Sequence, residues 1–222
     1  MATTDLAKPL ILLVSLNLLS FFDETYASLL TQLSSKATVK RIKKQDSVIR
    51  LLSEGPRPSA VLVTDEALTR EENSGAWEAV LQYVRQGGTS VVMGHYSSFV
   101  QPDDIKPFFA KAGLPWKSAS YQRTTLVLNR EAVGDSLAAC LPPRYSQKAL
   151  SVDNVARADA WYVTDEDSVV ESMVFAPTSA NVVGESPVVF ARVGDGKLGY
   201  IGDVNAEEGS TTVVLAMCRL LS

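Results

Sequence analysis

From Pro9 to Leu16 nearly every position is apolar, which fits a strand covered on both faces better than one with a wet side. The period then lengthens. Phe22, Tyr26, Leu29, Leu30 and Leu33 share one side of a helix, with Ser20 and Asp23 placed to bond the free amides at its start. Thr38 to Ile42 reads as a short strand, and Val48, Ile49, Leu51 and Leu52 as a helix stripe that ends before Gly55-Pro56. Ala60 to Thr64 is a further strand. Thr69 with Glu72 marks a helix start, and Trp77, Val80, Leu81 and Val84 form its buried stripe. Gly87-Gly88 stops that helix, and Thr89 to Gly94 returns as a strand.

Beyond His95 the alternation loosens. Pro107 to Lys111 predicts a short helix stopping at Gly113, and Thr124 to Leu128 a strand. Residues 141–187 mix turns and short polar and apolar runs without a repeat, and are expected to be irregular. Val188 to Val193 and Leu198 to Ile201 read as two strands joined by Gly194-Asp195-Gly196-Lys197, a tight-hairpin sequence. Ser210 to Leu221 closes the chain as a helix packed through Val213, Val214, Met217, Leu220 and Leu221. Strand and helix in alternation imply right-handed crossovers and an α/β fold of three layers, with a mainly parallel central sheet of the flavodoxin-like kind. A length of 222 residues suits a single domain spanning 1–222.

Composition removes several classes of function. An apolar fraction of 46% against 21% charged residues describes a compact globular chain. A net charge of −4 gives no electrostatic case for nucleic acid, and the basic group Lys40, Arg41, Lys43 and Lys44 fits a solvated strand end. Cys140 and Cys218 are too few for a disulfide framework. Pro9 to Ala27 has the outline of a secretory leader, but Asp5 offsets Lys8, and Ser15 and Asn17 interrupt the apolar run. A buried strand followed by a helix is the better reading, with a cytoplasmic location, and no stretch has the length of a membrane span.

The chemistry gathers at predicted strand ends. His95, the chain's single histidine, ends an apolar strand where a general acid or base would meet a crevice. Asp65 and Glu66 follow the Ala60 strand, Asp203 and Asn205 follow the Leu198 strand, and Ser15 and Asn17 end the first. Carboxylates and amides at one rim can orient a hydroxylated ligand. Asp65 and Asp203 are the partners expected to hold a proton-moving His95; Ser15, Asn17, Glu66, Tyr96, Ser97 and Asn205 are candidate ligand contacts. Glu207 and Glu208 read as helix-capping or solvated residues. Ser97 and Ser98 sit in Gly94-His95-Tyr96-Ser97-Ser98, which is not the nucleophile elbow of a serine hydrolase. One histidine and two separated cysteines make no zinc spacing, and the glycines of 194–202 form neither a P-loop nor a dinucleotide fingerprint, so no cofactor is implied. Tyr96, Phe99, Trp116, Tyr121, Trp161 and Tyr162 are as readily core residues as a sugar-binding surface.

Tyr83 to His95, "YVRQGGTSVVMGH", resembles the helix, double-glycine turn, strand and histidine of the class I glutamine-amidotransferase-like fold, and more closely of ThuA-like proteins. Gly194 to Gly209, "GDGKLGYIGDVNAEEG", is similar to that family's late hairpin and final-strand loop. The coarse resemblance covers most of Pro9 to Leu221, and the short patterns far less. It implies a glutamine-amidotransferase-like sheet and, in the wider group, a cysteine at the turn after the central strand working with a histidine and an acidic residue. Here His95 stands at that turn and neither cysteine does, so the thiol mechanism lacks its sulfur. ThuA-like relatives commonly carry a histidine near the end of the final strand, where this chain has Gly202-Asp203-Val204-Asn205. The expected function is binding of a small polar or carbohydrate-like ligand without the cysteine mechanism. The alternatives are a small-molecule hydrolase or isomerase using His95, and a structural or oligomerisation module, with a homo-oligomer left open.

Overall fold

The computed structural model describes residues 8–174 and 176–221; Asp5, weighed against Lys8 above, lies outside them. In chain order the elements are β1 (Leu10–Val14), α1 (Phe22–Thr25), α2 (Ala27–Lys36), β2 (Thr38–Ile42), α3 (Gln45–Glu54), β3 (Ala60–Val63), α4 (Ser74–Arg85), β4 (Thr89–Val92), α5 (Tyr96–Phe99) and α6 (Pro102–Ala110). β5 (Lys117–Leu128), α7 (Arg130–Val133), α8 (Asp135–Ala138), β6 (Arg144–Asp153), β7 (Ala160–Val163), β8 (Val188–Val193), β9 (Gly196–Ile201) and α9 (Glu208–Met217) complete the chain.

The strands form one nine-stranded sheet in the order β2-β1-β3-β4-β9-β8-β7-β5-β6. From β2 to β9 all neighbours are parallel; from β9 to β6 all are antiparallel. The sheet is therefore mixed, which corrects the expectation of a mainly parallel one. The reason lies in the second half of the chain, where hairpins and loops replace helical crossovers, and only a crossover can return a strand in the same direction. Residues 141–187 are also more ordered than expected, since they hold β6, a ten-residue strand, and β7. Ser146, Gln147 and Lys148 interrupt the apolar pattern there, although Gln147 takes a buried position of β6.

Side chains alternate across the parallel strands and supply two cores. Leu12, Val14, Val61, Val63 and Val92 pack on one face against Val48, Trp77, Val80, Leu81, Phe108 and Phe109 of α3, α4 and α6. Ile11, Leu13, Leu62, Val91 and Met93 pack on the other against Leu29, Leu33, Val213, Val214 and Met217 of α2 and α9. Helices on both faces make the three layers. Trp77 anchors the first core, stacked on Phe108 at 4.1 Å with its indole N–H donating to the Phe108 carbonyl at 3.2 Å.

Several helix starts differ from expectation. Phe21 caps α1, and neither Ser20 nor Asp23 bonds an amide there; Asp23 pairs with Arg41 instead. Before α4, residues Glu66–Thr69 and Glu71–Asn73 wind into two 3-10 turns, so α4 starts at Ser74 and not at Thr69. α6 begins at Pro102, well before Pro107.

Because β1 leads through α2 to β2 on one side while β3 lies on the other, the strand order reverses between β1 and β3. The crevice outside the carboxyl ends of such strands is where open α/β sheets place ligands.

Candidate functional site

The loops leaving β1 and β3 are tied together at that reversal. The Asn17 amide N–H donates to Asp65 Oδ2 at 3.0 Å, and Asn17 Nδ2 donates to Glu66 Oε1 at 2.8 Å. Below them the Ser15 and Thr64 hydroxyls share a 2.8 Å hydrogen bond, with Ser15 wholly buried. Asp65 also caps the turn that follows, accepting from the Ala67 amide at 3.1 Å. Burial pushes its carboxyl up to about 6, against the pull of those two amides. Glu66 takes a second bond from Arg70 at 2.7 Å on the same Oε1, while its Oε2 is buried without a hydrogen-bond partner.

His95 follows β4 and is held beside the same loop, its amide donating to the Thr64 carbonyl at 2.9 Å. The approach is close because the preceding residue is Gly94. It sits at φ +71°, and a Cβ there would meet the Thr64 carbonyl oxygen at 2.8 Å. The imidazole is buried among four rings: Phe21 at 4.9 Å, Phe22 at 5.1 Å, Phe99 at 5.5 Å and Tyr26 at 5.6 Å between centroids. Its Nδ1 has no hydrogen-bond partner among the described residues. Burial lowers the His95 pKa, and the Glu66 charge opposes that shift. Phe21 and Phe99 remain 46% and 44% exposed, so the enclosure has two outward-facing aromatic edges.

Asp203 joins this group through Tyr26. Burial, then the Asp203 charge, raise the Tyr26 hydroxyl, whose oxygen is buried and unpartnered. Tyr26, Asp203 and Ser210 line a small void of about 10 Å³, near the lower limit for one water molecule. The Asp203 carboxylate accepts from the amides of Asn205 and Glu207, both at 2.7 Å, and burial raises its pKa.

The structure thus brings Ser15, Asn17, Asp65, Glu66 and His95 together, with Asp203 one ring further along the rim. It directs Tyr96 and Ser97 elsewhere. Tyr96 is fully enclosed against Phe108 and Tyr200 in the first core, and Ser97 bonds the Tyr200 hydroxyl at 3.1 Å. Both side chains of α5 therefore face the first core and not the rim. Asn205 is on the exposed loop beyond Asp203. Of the six aromatic residues named above, Trp116, Trp161, Tyr162 and Tyr96 are buried and only Phe99 and Tyr121 reach the surface. Phe21, Tyr26, Thr64 and Arg70 belong to the site and were not singled out for it; Phe21, an aromatic residue just outside the apolar stripe of α1 and α2, was the available signal.

A larger cavity lies apart from this rim. About 770 Å³ opens beside β5 and β7, lined by residues including Asn129, Arg130, Arg157, Thr164, Asp165 and Glu185. Among the described residues no group of three or more His, Cys, Asp or Glu side chains is arranged to hold a metal ion. No helix among them is long and apolar enough to cross a membrane.

No protein-family model matches the chain, and no curated protein matches its sequence. In three dimensions it is similar to a ThuA-like protein from Bacteroides uniformis ATCC 8492, with a TM-score of 0.59 and 11% identity, covering 99% of this chain and 94% of that one. A ThuA-like protein from Parabacteroides merdae ATCC 43184 gives 0.53 and 12% identity over 96% and 89% of the two chains. A β-galactosidase from Bacillus circulans sp. alkalophilus gives 0.57 and 14% identity over 96% of this chain but 31% of that enzyme, so the likeness covers under a third of it. At these identities the likeness concerns the fold: this is a three-layer α/β chain of the broad structural class that includes ThuA-like proteins.

Proposed function

We propose that the chain is a single amidotransferase-like domain that binds a small polar or carbohydrate-like ligand at the rim around His95, without the cysteine mechanism. One observation carries this reading. Among the described residues Glu66 Oε2 and His95 Nδ1 are buried polar atoms with no hydrogen-bond partner, and the His95 ring lies against the half-exposed Phe21 and Phe99. A buried acceptor left unbonded costs free energy that a ligand hydroxyl would recover. An aromatic edge offers the apolar face of a sugar ring something to cover. The shallow rim suits a ligand held from one side. Neither cysteine supports thiol chemistry here: Cys218 is buried at the end of α9, where burial pushes its thiol up to about 12, and Cys140 is exposed beyond α8. The fold of the β-galactosidase segment agrees with a carbohydrate context but does not fix one.

Calorimetric titration with neutral monosaccharides and small polyols tests the reading. Saturable binding is expected, weakened about fivefold in Phe99→Ala by loss of one stacking edge, with stability little changed. Absence of saturation across the panel, with changes around His95 altering stability alone, would count against it.

A second reading has its own support. Burial pushes the Asp65 carboxyl up to about 6 and lowers the His95 imidazole, so the two shifts bring an acid and a base on the same rim toward one another. On that reading His95 moves a proton for a small-molecule hydrolase or isomerase while Asp65 or Asp203 holds it. A folded His95→Ala protein with undiminished turnover would remove the role.

A further inference from the structure

Resting on the reading of this rim as a ligand site, the balance of charge around it narrows the ligand class. Three guanidinium groups near the rim are already paired. Arg70 bonds Glu66, Arg41 bonds Asp23 at both carboxylate oxygens, and Arg123 pairs with Glu207; Lys43 acts on Asp23. Asp65 and Asp203 have no side-chain cation among their hydrogen bonds: Asp65 accepts from the Asn17 and Ala67 amides, and Asp203 from the Asn205 and Glu207 amides and from the Ser210 side chain. Those four amides are thereby engaged. Glu66 Oε2 remains an acceptor without a donor.

We propose that the rim selects a ligand bearing an ammonium group, of the amino-sugar class, and rejects its phosphorylated counterpart. The ammonium would donate to Glu66 Oε2, a charge-assisted hydrogen bond, with the half-exposed Phe21 and Phe99 beside His95 left to cover the sugar ring. A phosphate would meet the Asp65 carboxylate, which has no side-chain cation among its hydrogen bonds, and guanidinium groups already paired, and like charges brought together at an interface give specificity by repulsion.

The test is calorimetric titration of the full chain at pH 7 and low ionic strength with glucosamine, glucose and glucose 6-phosphate. Glucosamine is expected to bind about fivefold more tightly than glucose, and glucose 6-phosphate most weakly. In Glu66→Gln the preference for glucosamine should fall below about twofold. Raising the salt on the unaltered protein should shrink the same ratio, which keeps the test available if that variant fails to fold. Equal affinities, or tightest binding of glucose 6-phosphate, would overturn the charge selection and leave the site standing. No binding of any of the three would overturn the site reading together with this inference.

Discussion

Asp65 is the residue whose chemistry is most altered by the fold. Its carboxyl holds a proton up to about pH 6 in the folded chain, against a usual value of 3.8, because burial outweighs the two amides that favour its charge. Between those values the folded state binds more protons than the unfolded one, so this group's contribution to stability falls as pH rises through the window. Full ionisation withdraws about 3 kcal/mol. Asp203, also raised by burial, acts in the same direction. His95 acts oppositely: its lowered value lets the unfolded chain hold the extra proton, so its contribution rises with pH toward 6.5. Comparing the protein with Asp65→Asn isolates one group from the others. Urea unfolding from pH 4 to 7 should show the stability difference between the two shifting by about 2–3 kcal/mol against the unaltered protein as pH rises. A difference that stays flat would mean that Asp65 ionises as an ordinary surface carboxyl.

At the scale of elements, the first half of the chain was legible because each unit repeats one instruction. Continuous apolar runs at 10–14 and 60–63 can only be strands covered twice, and the stripe through Trp77 and Val84 can only be one helix face. That order places the ends of β1, β3 and β4 side by side, and with them Ser15, Asn17, Asp65, Glu66 and His95. The second half was less legible for a physical reason. β5 and β6 carry half-buried and polar positions such as Tyr121, Arg123 and Ser146, whose pairing is fixed by the partner strand and by long-range bonds. A local period does not encode those. The same limit applies within the site. Gly94 showed where the chain turns, but whether Tyr96 faced the rim or the core depended on Phe108 and Tyr200, far away in sequence. Asp203 was found as a strand-end carboxylate, whereas its link to His95 through Tyr26 needed α1 and α2 to be folded back over the sheet.

For the whole molecule, two places compete for a ligand. The rim around His95 has unpartnered polar atoms, an unbalanced negative charge and two exposed aromatic edges, but little enclosed volume. The opening of about 770 Å³ beside β5 and β7 has the volume of a ligand pocket, yet the Asn129 Nδ2 at its wall already donates to the Arg157 and Ala160 carbonyls, and Asp165 is paired with Arg144. Free energy is recovered where a buried group lacks a partner, so the rim should bind and the larger opening should not. Nuclear magnetic resonance of the ¹⁵N-labelled chain titrated with glucosamine decides between them. The account predicts saturable shifts of the Asn17, Ala67 and His95 amides with those of Asn129, Arg157 and Thr164 unmoved; shifts confined to Asn129, Arg157 and Thr164 would contradict it.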